Sequence, residues 1–413
     1  SKLEHMEVEE QAYVDAGRAE MEAMDWPEGD TVRYGITSLH DADSHQMQLD
    51  RIRASPSQIE QTVADGQLTL EFSDEPNAWS FARSIQNGMV AIAERYGAST
   101  VFMGEDMEVA GAFGMNIPLK NAGHGDLLLD MPLSEALIIH AATGAALGGM
   151  RPVAEIQFGG FAALAMNPLI NNAAQLRWRW GAEVPLVVRI PLGAKTRSGP
   201  FHANMIESWF TNDPGLVICF PSNPQDAYDL LVEAAALPDP VVYLEHLGMY
   251  GLRGGRTGWG DNINQVVDTE SVHAHLKGSD GPYKLGKAEV IRGGDAATVV
   301  TWGAMVHVCE QGIRDSGVAC DLIDLQTLVP WDRDAVVDSV NKTGRCVIVH
   351  EAPKTSGFGA EMAASVQERC FYSLEAPIER VTGWDTPFPH STEWDYMPGP
   401  DRIAAAIQRT QEA

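Results

Sequence analysis

Across residues 131–150, MPLSEALIIHAATGAALGGM, the one formally charged side chain is Glu135, at the head of an apolar run rich in alanine and glycine. Two kinds of chemistry suit an acid so placed. As a first-turn residue of a helix capped by Ser134, it would complement the positive end of the helix dipole. In surroundings of low polarity it would instead share a proton with a bound partner, which is general acid–base work. Behind it Ala141, Ala142, Gly144, Ala145, Ala146, Gly148 and Gly149 leave a helix surface on which another backbone could settle. A second proton-exchanging group, His202, stands in PFHAN, imidazole being the side chain suited to proton exchange near neutral pH. His140, His307 and His350 lie in apolar contexts and read as core or interface groups.

These groups need elements to hold them. Ala78, Phe81, Ala82, Ile85, Met89, Ile92, Ala93 and Tyr96 recur at helical spacing, and TVFMG after them reads as a short buried strand. A helix from Ser134, the strand VAEIQF, a helix from Pro168 to Trp180, the strands PLVVRIP and VICFP, a helix from Gln225 to Leu237 and the strand VVYLE follow. Short apolar strands alternating with helices imply an α/β fold with a mostly parallel sheet. A second α/β unit carries the strands ATVVTWG, VACDLIDL, RCVIVHE and IERVTG, with helices starting near Met305, Asp332 and Gly359. The chain divides into an acidic extension (1–74), a first α/β domain (75–252), a glycine-rich linker or insertion (253–283) and a smaller α/β domain (284–413).

Composition bounds the function. With 413 residues, 45% of them hydrophobic and 21% charged, the chain builds a sizeable core. A net charge of −28 repels phosphate backbones and argues against nucleic-acid binding; it reads as a solvated acidic shell rather than a docking face. The five cysteines contain no CxxC and sit mostly in apolar runs, as buried thiols in a reducing compartment do. No secretory leader or membrane-length apolar span is visible, so a cytoplasmic protein is expected.

The motifs VFMGEDMEVAGAFG, DMPLSEALIIHAATGAALGGMRPVAEIQFGGF, NNAAQLRWRWGAEVPLVVRIPLG and PFHANMIESWFTNDPGLVICFPSNPQDA, with VVTWGAMVH, CDLIDLQTLVPWD, IVHEAPKTSGFGAE and VTGWDTPFP in the second unit, occur in one order across two domains. In that order the chain resembles the β subunit of the thiamine-diphosphate-dependent 2-oxoacid dehydrogenases, of pyruvate or branched-chain type, over residues 77–412. The resemblance implies a pyrimidine-binding, transketolase-like domain followed by a smaller transketolase C-terminal-like domain. It implies that Glu135 hydrogen-bonds a ring nitrogen of the cofactor's aminopyrimidine and so activates the thiazolium carbon. Leu133, Gln157 and Phe161 would contact the same ring. His202 would sit by the thiazolium, binding the substrate carboxylate or passing a proton to the acyl acceptor.

The family holds the cofactor's diphosphate and Mg²⁺ through a GDG motif, which this sequence lacks, so no metal ligand is assigned here. The resemblance therefore implies a GDG-bearing α-type subunit, an α2β2 assembly, and a lipoyl or other acyl-carrier protein as acceptor. Gly159 and Gly160 stand where many relatives have alanine and aspartate, and Ala203 and Asn204 follow His202 where they have serine and glutamine. The expected activity is decarboxylation of a small 2-oxoacid with acyl transfer to a lipoyl carrier. A ketol transfer from a ketose to a carrier protein is the alternative, and a non-catalytic scaffold subunit is the alternative of another class.

Overall fold

The computed structural model describes residues 70–194, 198–250, 263–279, 281–390 and 392–412. Most of the acidic extension and the glycine-rich stretch 251–262 lie outside the described residues. The first sheet joins β1 (Thr100–Gly104), β2 (Leu128–Asp130), β3 (Arg151–Glu155), β4 (Val187–Leu192), β5 (Val217–Cys219) and β6 (Val241–His246) in the order β5-β6-β4-β3-β1-β2, all parallel. Strands β4 and β6 are buried at every residue, as strands covered on both faces must be. The second sheet has the order β12-β11-β8-β9-β7, built from β7 (Glu289–Arg292), β8 (Ala297–Thr301), β9 (Cys320–Asp324), β11 (Cys346–Pro353) and β12 (Glu379–Gly383), with β7 alone antiparallel. One short strand of the second unit, β10 (Thr327–Val329), leaves it to pair antiparallel with β5 and extends the first sheet to seven strands.

Helices cover the faces. α1 (Phe81–Tyr96) starts where the Ser80 hydroxyl accepts the Arg83 N–H and buries Phe81, Ile85, Met89 and Ile92, the spacing the sequence showed. It crosses α3 (Pro224–Ala234) so closely that a Cβ on Gly88 would stand 3.0 Å from Leu231. Between them in the chain lies α2 (Glu135–Leu147). The second unit carries α5 (Met305–Ser316), α6 (Arg333–Thr343), α7 (Phe358–Cys370) and α8 (Pro400–Glu412).

Three local expectations differ from what forms. The Ser134 side chain makes no capping hydrogen bond, although the helix begins at Glu135. The single helix expected from Pro168 to Trp180 is broken into a π turn (Asn167–Asn172), a 3₁₀ turn (Ala173–Gln175) and a short α segment (Leu176–Trp180). Pro168 explains the break, since it lacks an N–H and crowds the preceding turn. Within the stretch read as linker, residues Glu270–Gly278 form a helix, α4, which packs on α3 through Val272.

At the centre of the first sheet three charged side chains interrupt the apolar strands. Arg189 on β4 reaches Glu245 on β6 through Nε–Oε1 (2.6 Å) and Nη2–Oε2 (2.9 Å), and Glu155 on β3 through Nη1–Oε2 (2.8 Å). All three are buried. Burial raises the Glu155 carboxyl, and the Arg189 guanidinium offsets that only in part. Arg189 itself is held firmly charged: burial opposes its charge, but Glu245 and Glu155 together outweigh burial. Truncating Arg189 to Ala would strand two buried carboxylates and is expected to cost about 3–5 kcal/mol of stability. Urea unfolding of the variant checks this, and a loss too small to measure would remove the triad from its structural role.

Candidate active site

The carboxyl ends of β4, β3, β1 and β2, adjacent in that order, deliver the candidate residues to one edge of the sheet. In parallel α/β sheets this is the edge where ligands bind. Glu105 and Asp106 follow β1, Glu135 follows β2, Gln157, Phe158 and Phe161 follow β3, and His202 lies on the loop after β4. Glu135, Gln157, Phe161 and His202, up to 67 residues apart in the chain, thus all lie beyond strand ends on one edge of the sheet.

Glu135 is buried at the first turn of α2, although its neighbour Leu133 is 86% exposed and points no apolar surface into this chain's own core. Glu105 was not singled out from the sequence. It is buried, with Oε1 lacking a hydrogen-bond partner, and burial raises its carboxyl above the usual range, with the charges of Glu135, Asp106 and Glu155 adding to the rise. The charged pair GED after a strand end was the available signal, hidden by the assumption that exposed acids dominate so acidic a chain. Gln157 donates through Nε2 to Asp106 Oδ2 at 3.4 Å, which ties the β3 loop to the β1 loop.

His202 is packed by aromatic edges. Its ring meets Phe158 at 4.5 Å and 83°, and Phe161 at 5.4 Å and 69°. Its Nδ1 lies 3.1 Å from the Ser198 carbonyl oxygen. A carbonyl can only accept, so Nδ1 carries the hydrogen and the neutral ring keeps Nε2 as its basic atom. The IQFGGF glycines have a physical reason here. A Cβ on Gly160 would stand 2.4 Å from the Phe201 carbonyl oxygen, so the residue without a side chain lets the His202 helix (Pro200–Ala203) close down on the turn Gly159–Phe161.

The remaining histidines sort themselves by surroundings. His140 is exposed on α2, its Nδ1 2.9 Å from the Ala136 carbonyl oxygen, so it is not a core group. His307 is buried against the Ser222 carbonyl oxygen at 2.6 Å. His350 is buried and stacked on Trp302 at 14°, and burial pushes its pKa down to about 3, with Arg380 adding, so the ring is neutral. The five cysteines are free and buried. Among the described residues no three His, Cys, Asp or Glu side chains are grouped as metal ligands, and no helix is long and apolar enough to cross a membrane.

Residues 78–251 match the family model of the transketolase pyrimidine binding domain, and residues 286–403 that of the transketolase C-terminal domain. The chain is 43% identical over 335 residues to the 2-oxoisovalerate dehydrogenase subunit beta of Pseudomonas aeruginosa, spanning 80% of this chain and 94% of that one. It is 37% identical over 350 residues to the mitochondrial 2-oxoisovalerate dehydrogenase subunit beta of Dictyostelium discoideum, spanning 83% and 89%. Among solved structures it superposes on a split gene transketolase, described as an inactive beta4 tetramer, with a TM-score of 0.61 at 18% identity, covering 81% of this chain and 98% of that one. That likeness concerns the fold.

Below the His202 loop, Glu207 is fully buried and its carboxyl oxygens find no partner of ordinary geometry. Burial pushes its pKa up to about 7; its own backbone N–H and the Trp302 indole offset this in part, and the Glu351 charge adds to it. The folded chain therefore keeps this proton where the unfolded chain releases it. Stability is lost as pH rises from about 4.5 to 7 and is level above that window. Glu207→Gln, which cannot ionise, is expected to be more stable than the parent at pH 8 by up to about 3 kcal/mol and to lose that advantage near pH 5. Thermal or urea unfolding at the two pH values tests this; a gain independent of pH would contradict it.

Proposed function

The chain belongs to the β subunits of the thiamine-diphosphate-dependent 2-oxoacid dehydrogenases, and on that premise we propose that it supplies the pyrimidine-activating half of an active site that decarboxylates a branched-chain 2-oxoacid. The observation that carries this reading is the buried Glu135 carboxyl, at a sheet edge beside the orphaned Glu105 oxygen, with Leu133 turned outward next to it. A buried polar atom without a partner calls for one from a bound group. The residues fit an aminopyrimidine: an acid for a ring nitrogen, an aromatic face in Phe161, a carboxamide in Gln157 and an aliphatic surface in Leu133.

Thiamine diphosphate, when bound, supplies an acidic ring carbon and an electron sink that make loss of CO₂ from a 2-oxoacid feasible. This chain's own residues do the rest of the local work. Glu135 presents its carboxyl to the pyrimidine nitrogen, and burial together with the neighbouring acids favours the neutral form of the Glu105 carboxyl, which lessens the negative charge collected there. Phe158 and Phe161 hold the His202 ring edge-on, and the Ser198 carbonyl fixes its tautomer. Nε2 is then free to accept a proton or, once protonated, to meet the substrate carboxylate.

The diphosphate and Mg²⁺ belong on an α-type subunit, since no GDG occurs in this sequence. We take the assembly to be α2β2, passing its acyl group to a lipoyl carrier, and the free, buried cysteines support a reducing compartment such as the cytoplasm. The exposed Leu133, just before α2, and Leu137 and Leu147 on it are apolar surface for the α-type subunit to cover.

Glu135→Gln keeps size and helix start but removes the acid. Hydrogen exchange at the cofactor's reactive carbon, and turnover, should fall by roughly 10² to 10⁴ in the reconstituted enzyme while assembly survives; parental exchange would end the assignment. The purified chain alone is expected to bind thiamine diphosphate with Mg²⁺ more weakly than about 1 µM, or about −8 kcal/mol. Calorimetry decides it, and tight binding without an α-type subunit would refute the divided site.

A further inference from the structure

Phe113, which the sequence reading did not single out, lies on the loop between β1 and β2 with φ 56. A left-handed backbone brings a side chain's Cβ too close to the following carbonyl oxygen, so residues other than glycine rarely adopt it. The flanking Gly111 and Gly114 also have positive φ, at 70 and 74, so the turn employs glycine on both sides. Between them it carries a phenyl ring instead.

The loop is held from below. The Ala112 N–H donates to Glu155 Oε1 at 3.3 Å, while the other Glu155 oxygen is held by Arg189. Gln86 donates to the Gly114 carbonyl at 3.3 Å, and Asn116 N–H to the Ala110 carbonyl at 2.8 Å. A Cβ on Gly111 would lie 2.3 Å from Asn116, so the loop and Asn116 are fitted together. The strain at Phe113 is thus imposed by contacts that reach back to the buried triad.

The ring completes a file of aromatic edges. Phe113 meets Tyr250 at 5.8 Å and 88° on one side and Phe158 at 5.6 Å and 86° on the other, and Phe158 meets His202. Tyr250 is anchored by donating its hydroxyl to Glu245. The file therefore runs from the buried ion triad to the imidazole, and Phe113 remains 38% exposed, with part of its ring uncovered. An apolar surface held rigidly two rings from His202 suits an aliphatic chain attached to whatever His202 binds, and offers nothing to a polyol.

We propose that Phe113 is a specificity-determining residue, the apolar wall that selects a branched aliphatic 2-oxoacid over a short one. The proposal rests on the functional reading given above. Removing the ring removes contacts to the side-chain carbons of the larger substrate and leaves the carboxylate and reacting carbon untouched. Differences of a methylene or two in an apolar pocket discriminate by roughly 10–200-fold.

The test uses the enzyme reconstituted with its α-type subunit, comparing Phe113→Ala with Phe113→Gly, the latter adopting the left-handed backbone without strain. The ratio of kcat/KM for 3-methyl-2-oxobutanoate to that for pyruvate is expected to fall by about 10-fold or more in both variants. A phosphonate analogue of the branched acid, which cannot lose CO₂, should bind more weakly by calorimetry in the same proportion. Turnover with an unchanged ratio, or unchanged analogue binding, would overturn the role of Phe113. Absence of CO₂ from either acid with the parental enzyme would overturn the functional reading itself, and this inference with it.

Discussion

The Arg189–Glu155–Glu245 triad is the interaction on which the first domain is arranged. Taking three charged groups out of water is costly, and only dense pairing and hydrogen bonding recover that cost. Here the guanidinium spends three N–H groups on two carboxylates, the Tyr250 hydroxyl donates to Glu245, and the Ala112 N–H donates to Glu155. The triad ties β3, β4 and β6 side by side, and the last two donors extend its hold to the turn after β6 and to the loop after β1. Apolar residues of equal volume would fill the same space. They would not aim a backbone N–H, which is what makes the Phe113 loop take one conformation.

From that centre outward the site follows from strand direction. Parallel pairing puts every strand's carboxyl end on one edge, so loops after β1, β2, β3 and β4 meet regardless of their separation in the chain. Each loop contributes a different function: acids from the first two, aromatic and carboxamide groups from the third, an imidazole from the fourth. The close approach of Gly160 to Phe201 shows how tightly the third and fourth loops are fitted. One side of this assembly is open, with Leu133 almost wholly exposed beside a buried acid.

The second domain is joined to the first by buried polar bonds as well as by apolar contact. Strand β10 pairs with β5 through Thr327↔Cys219 and Val329↔Ile218. Glu351 on β11 accepts from the Ala194 N–H at 2.8 Å and pairs with His246 Nε2 at 2.7 Å, directly below the loop that carries His202. Glu207, on that loop's continuation, lies within the field of Glu351 and beside Trp302 of the second domain. The position of the His202 loop is therefore set by both domains, and the charge on Glu207 bears on how firmly they are joined.

Much was legible without coordinates. Helical spacing from Phe81 to Ile92 and continuous apolar runs such as CVIV report burial, a property each residue carries alone, so the α/β class and most strands followed from sequence. Ordered motifs singled out Glu135, Gln157, Phe161 and His202, and each lies beyond a strand's carboxyl end on the same edge of the first sheet. The broken helix after Pro168, the three-residue strands β2 and β10 and helix α4 escaped because short elements are decided by what they pair with. Glu105, Phe113 and the buried triad escaped for a deeper reason. A glutamate or arginine in sequence looks like surface, and only when strands from four parts of the chain lie together does its burial, its partner and the left-handed turn it supports come into being.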